Sequence, residues 1–393
     1  MAKLVFNKAH DFHFGYAEFE NYSIKSFDAK SGKMTLKYDA SREGVPYDPD
    51  RSPWKVTIQL KDFKTYKATD GKYQGDTIVT SGDIESIRWF SKSNKLEVKM
   101  TDISLDAGEF HYLFLEHSAR TYDNLVADGS TFLGPKGSAS GTNAETGSGD
   151  DVFRARGGGS YIEDNGGADQ YYGSATKWDI LSYASWTYDR RPLDSGVKVN
   201  LANEKATGPD GLVDKLVNID QVIGTFKKDT LIGNDSNNTF AGLRGKDVID
   251  GGDGFDRAIY VRDASYGGHD GIVANLSKGT IRDGFGTVDQ VKSIEQVDGT
   301  NSRDVFTGNN ANNRFKGGDA KDKFIFNGKK FGTDTIVDFD PTENDKIQIR
   351  AANKFSDLNI STKSGDTHIK LNANSEVILQ DYTDGLDSGD FIF

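Results

Sequence analysis

A nine-residue period in the middle of the chain limits what it can fold into. Gly224, Gly233, Gly242 and Gly251 lie nine apart, and Asp229, Asn238, Asp247 and Asp256 follow five residues behind each. Leu231, Phe240, Ile249 and Ala258 come two further on. The frame returns at Gly299, Gly308 and Gly317, with Asp304, Asn313 and Asp322, then Phe306, Phe315 and Phe324. A weaker copy sits earlier, at Gly149, Gly158 and Gly167, then Asp151, Ser160 and Asp169, then Phe153, Ile162 and Tyr171. Each unit reads as a six-residue turn and a short strand whose apolar residue fills the core.

A longer repeat lies over the short one. Val213 to Gly242 realigns on Val288 to Gly317 at an offset of 75 residues, with about half the positions identical. Such self-similarity marks a repeat architecture. Asp179 to Tyr183 with Val197 to Leu201, and Asp256 to Tyr260 with Ile272 to Leu276, form a related pair upstream of each copy. These inserts, 173–223 and 257–298, read as short strands that broaden or cap the stack.

Glycine turns can aim several carbonyl oxygens inward, and the aspartate adds charge. Hard oxygen ligands of both kinds are what Ca²⁺ prefers. Gly251-Gly252-Asp253-Gly254-Phe255-Asp256 is the fullest unit. The frame resembles the nonapeptide of RTX proteins, and the resemblance covers roughly 146–326. It implies a parallel β-roll with blocks at 146–172, 224–259 and 299–326, binding several calcium ions. The candidate ligands are Gly147, Gly149, Asp151, Gly167, Asp169, Gly224, Asp229, Gly233, Asn238, Gly242, Gly245 and Asp247 in the first two blocks. Gly251, Asp253, Gly254, Asp256, Gly299, Asp304, Gly308, Asn313, Gly317, Asp319 and Asp322 complete the set.

Two nonapeptides make one coil of a roll, so every second loop stacks with an ion between. Asp151 then stacks with Asp169, Asp229 with Asp247, and Asp304 with Asp322. On the other side Asn238 meets Asp256, Asn313 faces Phe331, and Ser160 has no acidic partner. One edge is therefore expected to be stronger, with about three firm sites and one or two weaker ones. Stacked carboxylates repel without ions, so folding should couple to calcium.

Residues 1–133 read as a small antiparallel β domain with one helix near 106–124. Trp54 to Leu60, Ile84 to Phe90 and Leu96 to Met100 are its clearest strands. Asp106 can cap the helix. The run Asp83 to Phe90, then Leu96 to Phe110, resembles the leader domain of uncharacterised rhizobial calcium-binding proteins and implies no defined activity. Residues 134–326 hold the roll, and 327–393 a C-terminal β cap. The chain as a whole is expected to be mostly β.

Function classes narrow by exclusion. Zero cysteines exclude thiolate metal sites and thiol nucleophiles. The net charge of -12 argues against nucleic acid as a partner. No run is long and apolar enough for a membrane span, and a membrane-active toxin lacks its long apolar segment here. No H-E-x-x-H and no G-x-S-x-G occur, against a zinc protease and a lipase. His10 with His13, and His111 with His117, are better read as ordinary polar residues than as metal pairs. Asp48 with Asp50, and Asp102 with Asp106, are the acidic pairs open to a polysaccharide-modifying enzyme. Trp54, Trp89, Tyr38, Tyr47, Tyr66 and Tyr73 could stack on sugar rings. Met1 to Phe19 carries no N-terminal secretion signal. The last residues, Asp390-Phe391-Ile392-Phe393, resemble the uncleaved tail of type I secretion substrates, which implies export by that machinery to the extracellular space. The expectation is a secreted, non-enzymatic calcium-binding protein whose N-terminal module binds polysaccharide or a cell-surface glycan.

Overall fold

The computed structural model describes residues 2–6, 22–28, 33–38, 55–67, 77–90, 96–101, 130–133, 143–146, 149–155, 159–175, 178–184 and 195–393. They are almost wholly β, and among them helical turns are short 3-10 segments. The helix expected near 106–124 lies outside the described residues. Contacts divide the chain into two compact units, Met1–Trp186 with Asp210–Ile219, and Thr187–Pro209 with Asp220–Phe393.

The first unit begins as an antiparallel sheet. Strand Tyr22–Asp28 pairs with Lys33–Tyr38, which pairs with Lys55–Lys67. Next come Thr77–Phe90, Leu96–Thr101 and Ala2–Phe6. The run Lys55-Val-Thr-Ile-Gln-Leu60 in this sheet alternates polar and apolar residues, the sequence pattern of a strand. Ala2–Phe6 then pairs in parallel with Ser130–Leu133, which pairs in parallel with Val152–Arg154. The hydrogen-bonded sheet therefore runs without a break into the roll. One roll face continues through Gln170–Tyr172 and Val213–Val217. The other stacks Asn143–Glu145, Tyr161–Glu163 and Ile180–Ser182.

The second unit holds the longer roll. Its first face stacks Lys198–Asn200, Thr230–Ile232, Val248–Asp250 and Val288–Lys292 in parallel. An antiparallel excursion through Thr280–Arg282 and Val273–Asn275 follows. The parallel stack then resumes with Val305–Thr307, Lys323–Phe326 and Lys346–Ile349. The insert strands thus enter this face rather than lying beside it. The second face runs without interruption from Gln221–Ile223 through Thr239–Ala241, Arg257–Ile259, Gln296–Asp298 and Arg314–Lys316 to Gly332–Ile336. Ser375–Leu379 pairs in parallel with that last strand, and a hairpin of Asp366–Asn372 and Asn359–Lys363 covers the edge.

Strands of three residues place one side chain inward per turn of the roll. Leu231, Ile249, Phe306, Phe324 and Ile347 fill one side of the core, and Phe240, Ala258, Val297, Phe315 and Ile336 the other, all essentially inaccessible. Phe306 and Phe324 stack at 5.2 Å and 7°. Each such ring contributes about 1.5–3 kcal/mol by burial. The terminal residues dock here too, as Ile392 N–H donates to Ile347 O at 2.9 Å and Phe391 packs on Phe355 at 5.4 Å.

Candidate metal centre

Because the strands are so short, the turns between them stack as closely as the strands do. The aspartate two places before each inward apolar residue is carried to the same height in every coil. The result is a ladder in which the backbone N–H of one coil donates to a carboxylate of the next. In the first unit Asp151 N–H donates to Asp169 Oδ1 at 2.7 Å, and Asp169 N–H to Asp214 Oδ1 at 3.0 Å. In the second, Val197 N–H reaches Asp229, Asp229 reaches Asp247 and Asp247 reaches Asp289, at 2.8, 2.8 and 3.0 Å. Beyond the excursion, Ile272 N–H reaches Asp304, Asp304 reaches Asp322 and Asp322 reaches Asp345, at 2.6, 2.8 and 2.8 Å.

The opposite edge corrects two expectations. Ser160 does meet an acid, its N–H donating to Asp179 Oδ1 at 2.7 Å. Asn313 faces Asp334 at 2.7 Å, not Phe331, which is buried against the Phe326 ring at 5.4 Å. The reason in both cases is coil length. These coils span 19 and 21 residues, so counting on by 18 misses the partner. Asn238 N–H donates to Asp256 Oδ1 at 2.7 Å, and Asp256 N–H to Glu295 Oε2 at 2.8 Å. This edge is therefore richer in acid than the glycine frame implied.

Asp179, Asp214, Asp289, Glu295, Asp334 and Asp345 were not among the sequence candidates. A signal for them existed. Each opens an acid-x-apolar tripeptide, as in Asp214-Lys-Leu216 and Asp345-Lys-Ile347, and all but Asp289, which follows Gly284 by five residues, lack the nonapeptide glycine in front.

The first glycine of each loop is explained by the carboxylate five residues on. A Cβ at Gly224, Gly242, Gly299 or Gly317 would lie 2.2, 2.5, 2.0 or 2.2 Å from an oxygen of Asp229, Asp247, Asp304 or Asp322. At Gly251 and Gly233 it would also strike the next coil's backbone, Ser293 O at 2.0 Å and Gly251 O at 1.8 Å. Gly245 is crowded by Asp247 and Gly308 by Asn313, while Gly167 lies against Gly149 O. Gly147 and Gly158 lie outside the described residues. Asp253 and Asp319 are exposed.

The loops fall into two kinds. Four are closed on themselves. The second residue's N–H donates to the sixth side chain, from Thr225 to Asp229, Asn234 to Asn238, Thr300 to Asp304 and Asn309 to Asn313, at 2.7 to 2.9 Å. Three are open, with left-handed residues at Leu243, at Gly252 and Gly254, and at Gly318 and Ala320. There the second oxygens of Asp247, Asp256 and Asp322 are buried with no partner, as is that of Asp334.

These carboxylates are costly. Burial, then the neighbouring aspartates, pushes Asp247 up to about 9. Burial, reinforced by the charge of Asp304 and then Asp345, pushes Asp322 to about 9 as well. Burial alone pushes Asp334 to about 8, and it takes Asp229 to about 7 even against three hydrogen bonds. Ion pairs among the described residues join Arg257 to Asp298, Lys292 to Asp250, and His368 and Lys370 to Glu376, and none reaches the ladders. Unpaired buried oxygens with no counter-cation fit a hard divalent ion, which takes carboxylate and carbonyl oxygens. Carbonyls are at hand, since Gly242 O and Gly317 O face Gly224 and Gly299 of the preceding coil.

A parallel β-roll whose turns carry stacked carboxylates is a calcium-type repeat scaffold. The comparison with protein families agrees. Residues 145–175, 223–258 and 297–328 match the family described as RTX calcium-binding nonapeptide repeat (4 copies). These segments carry calcium-binding nonapeptide repeats of RTX type. No curated protein matches it. Among solved structures, the extracellular lipase LipA of Serratia marcescens is 13% identical with a TM-score of 0.21, over 67% of this chain and 40% of the lipase. The chain thus spans about two fifths of that lipase's length, and a likeness at this score carries no weight for fold or activity. No helix among the described residues is long and apolar enough to cross a membrane.

Proposed function

We propose that this is a secreted calcium-binding protein without enzymatic activity, whose roll orders when calcium binds and holds out the N-terminal β module to bind extracellular polysaccharide or a cell-surface glycan. The observation that carries the calcium reading is the set of buried, partnerless oxygens on Asp247, Asp256, Asp322 and Asp334. The residues that would hold ions are Asp229 with Asp247, Asp304 with Asp322, Asp151 with Asp169, and Asn238 with Asp256. Asn313 with Asp334 joins them through the contact described above. Bound calcium would supply the positive charge that lets these acids ionise inside the fold. About three firm sites and one or two weaker ones remain the working count. Sites at extracellular affinities, ~10⁻⁴ to 10⁻³ M, would keep the chain unfolded where calcium is scarce and fold it outside, which suits export by type I secretion. The glycan reading rests on the aromatic content of the N-terminal strands, Trp89 and Tyr66 among them.

The test is a calcium titration of the full chain by circular dichroism and calorimetry, beside an Asp229→Ala, Asp247→Ala double variant. A coil-to-β transition weakened in the variant supports the reading. A chain fully folded in chelator and unresponsive to calcium refutes it. Pull-down on immobilised acidic and neutral polysaccharides, with and without calcium, tests the module separately.

A further inference from the structure

The outward side of the first roll face in the second unit carries a column of cations with no acid in it. Successive residues of a strand point to opposite sides, so the residues beside the buried ones form outward columns that cross the stack. Lys228 and Lys246 each stand one place before a ladder aspartate, and two places before the paired Thr230 and Val248. Val288 stands two places before Gln290, the partner of Val248, and continues their column. From there the pairing is direct. Val288 lies opposite Arg282, Arg282 opposite Val273, and Val273 beside Val305. Val305 lies beside Lys323, and Lys323 beside Lys346. The antiparallel excursion therefore keeps the column in line instead of breaking it.

Five of these eight positions are Lys or Arg, three are Val and none is acidic, in a chain whose net charge is -12. All eight are exposed or half-exposed. None of the five cations takes part in an ion pair among the described residues. The neighbouring outward column runs from Thr230 through Gln290, Thr280 and Asn275 to Gln348 and holds no charged residue at all. Within it Thr307 and Ile325 are buried and the others are accessible.

The nonapeptide loops set this face apart as well. Those that lead into it carry Lys227 with Lys228, Arg244 with Lys246, Arg303, and Lys321. The three that lead into the other face, 233–238, 251–256 and 308–313, carry no cation. Like charges on adjacent strands repel, and Lys228 with Lys246 and Lys323 with Lys346 are such pairs. A bound polyanion removes that cost. At about 4.8 Å per strand the column is about 34 Å long and one side chain wide. That shape fits a linear polymer. The column holds no aromatic or long apolar side chain to enter a bilayer, and the amides and hydroxyls beside it suit sugar hydroxyls.

We propose that this column binds a linear acidic polysaccharide laid across the strands of the second unit, with the polymer's carboxylate or sulfate groups on Lys228, Lys246, Arg282, Lys323 and Lys346. The valines between them pack against the apolar C–H faces of the sugar rings, and the neighbouring amides and hydroxyls take the sugar hydroxyls. The proposal deepens the polysaccharide reading above and adds a site on the roll to the one on the N-terminal module. It rests on the calcium reading only for the order of the roll, because the column exists only when the strands are stacked.

The experiment is calorimetry of the full chain in calcium with dextran sulfate, beside uncharged dextran and phosphatidylserine vesicles. A column triple, Arg282→Gln, Lys323→Gln, Lys346→Gln, is compared with a triple of equal charge outside the column, Lys329→Gln, Lys330→Gln, Lys354→Gln. The parent should bind dextran sulfate and not dextran, more weakly as salt rises. The column triple should lose about tenfold or more in affinity and much of the salt dependence, while the other triple keeps both. If the column triple does not fold, Lys228→Gln with Lys246→Gln replaces it under the same expectation. A column triple that binds like the parent overturns the proposal and leaves the N-terminal module as the glycan site. Equal losses in the two triples overturn it too, because net charge alone would then explain binding. Preference for the vesicles makes the surface a membrane site and overturns the polysaccharide. A parent that binds none of the three probes overturns it outright. A chain that folds without calcium, yet loses affinity only in the column triple, keeps the column and refutes the calcium reading.

Discussion

Stripped of calcium, the second unit should become a fold that acid stabilises and neutral pH dissolves. The perturbation is a rise from pH 5 to pH 7 in calcium-free buffer. Burial holds the Asp229, Asp247 and Asp289 carboxyls up to about 7, 9 and 8 in the folded chain, against 3.8 for the ordinary group. A raised folded value means the folded chain holds protons that the unfolded chain has released. Stability from that source is complete below 3.8 and drains away as pH climbs towards 7 to 9. Each pH unit costs about 1.4 kcal/mol per retained proton, so each carboxyl loses about 2 to 3 kcal/mol between pH 5 and 7. Three of them cost on the order of 8 kcal/mol, comparable with the whole stability of a typical domain. The window begins near the sequence pI of 5.1, where overall charge repulsion is smallest. The assay is far-ultraviolet circular dichroism against pH on protein passed through chelating resin, repeated with calcium restored. Expected are β signal at pH 5 that falls by pH 7 without calcium, and a signal held through pH 7 with it. A calcium-free chain equally folded at pH 5 and 7 would show that these carboxyls carry no such penalty.

Three further outcomes follow from the same geometry. Gly317→Ala puts a methyl 2.2 Å from Asp322 Oδ2 and should cost about 1–3 kcal/mol in chemical denaturation with calcium present, whereas Gly385→Ala, in open space, should be silent. Phe324→Ala removes one of the stacked rings of the core and should cost about 3–5 kcal/mol, read by the same denaturation curve. Thr300→Val deletes the 3.0 Å bond from Thr300 Oγ1 to Asp304 Oδ1 but keeps the backbone donor, so a loss of about 1 kcal/mol is expected with the calcium stoichiometry unchanged.

The roll was legible because its signal is local. Glycine, aspartate and an apolar residue at fixed offsets define one turn and one strand, and the pairs Asp229 with Asp247 and Asp304 with Asp322 follow from counting 18 residues. Counting fails where a coil is longer. Asp289 follows Asp247 by 42 residues and Asp345 follows Asp322 by 23, because hairpins or turns fill the difference. Only the pairing of Val248–Asp250 with Val288–Lys292 reveals that the chain returns to the same face. The two loop kinds were likewise hidden. Gly224-Thr225 and Gly242-Leu243 look equivalent in the nine-residue frame, yet one N–H turns back onto its own aspartate and the other residue takes φ +61°. In the N-terminal region the alternating runs coincide with Lys55–Lys67, Thr77–Phe90 and Leu96–Thr101, whose order in the sheet no periodicity could give.

The ladder has an arrow. In every rung the earlier coil gives the N–H and the later coil gives the carboxylate, from Asp151 onto Asp169 through to Asp322 onto Asp345. Shortening the roll from its two ends is therefore not symmetrical. Removing an early coil leaves a carboxylate with a spare oxygen facing solvent, which water can serve. Removing the segment that carries Asp334 and Asp345 leaves the N–H groups of Asn313 and Asp322 without acceptors and takes two acids from the stack. Each coil is thus completed by the one that comes after it in the chain, and order in the roll should spread backwards, from its late coils towards its early ones.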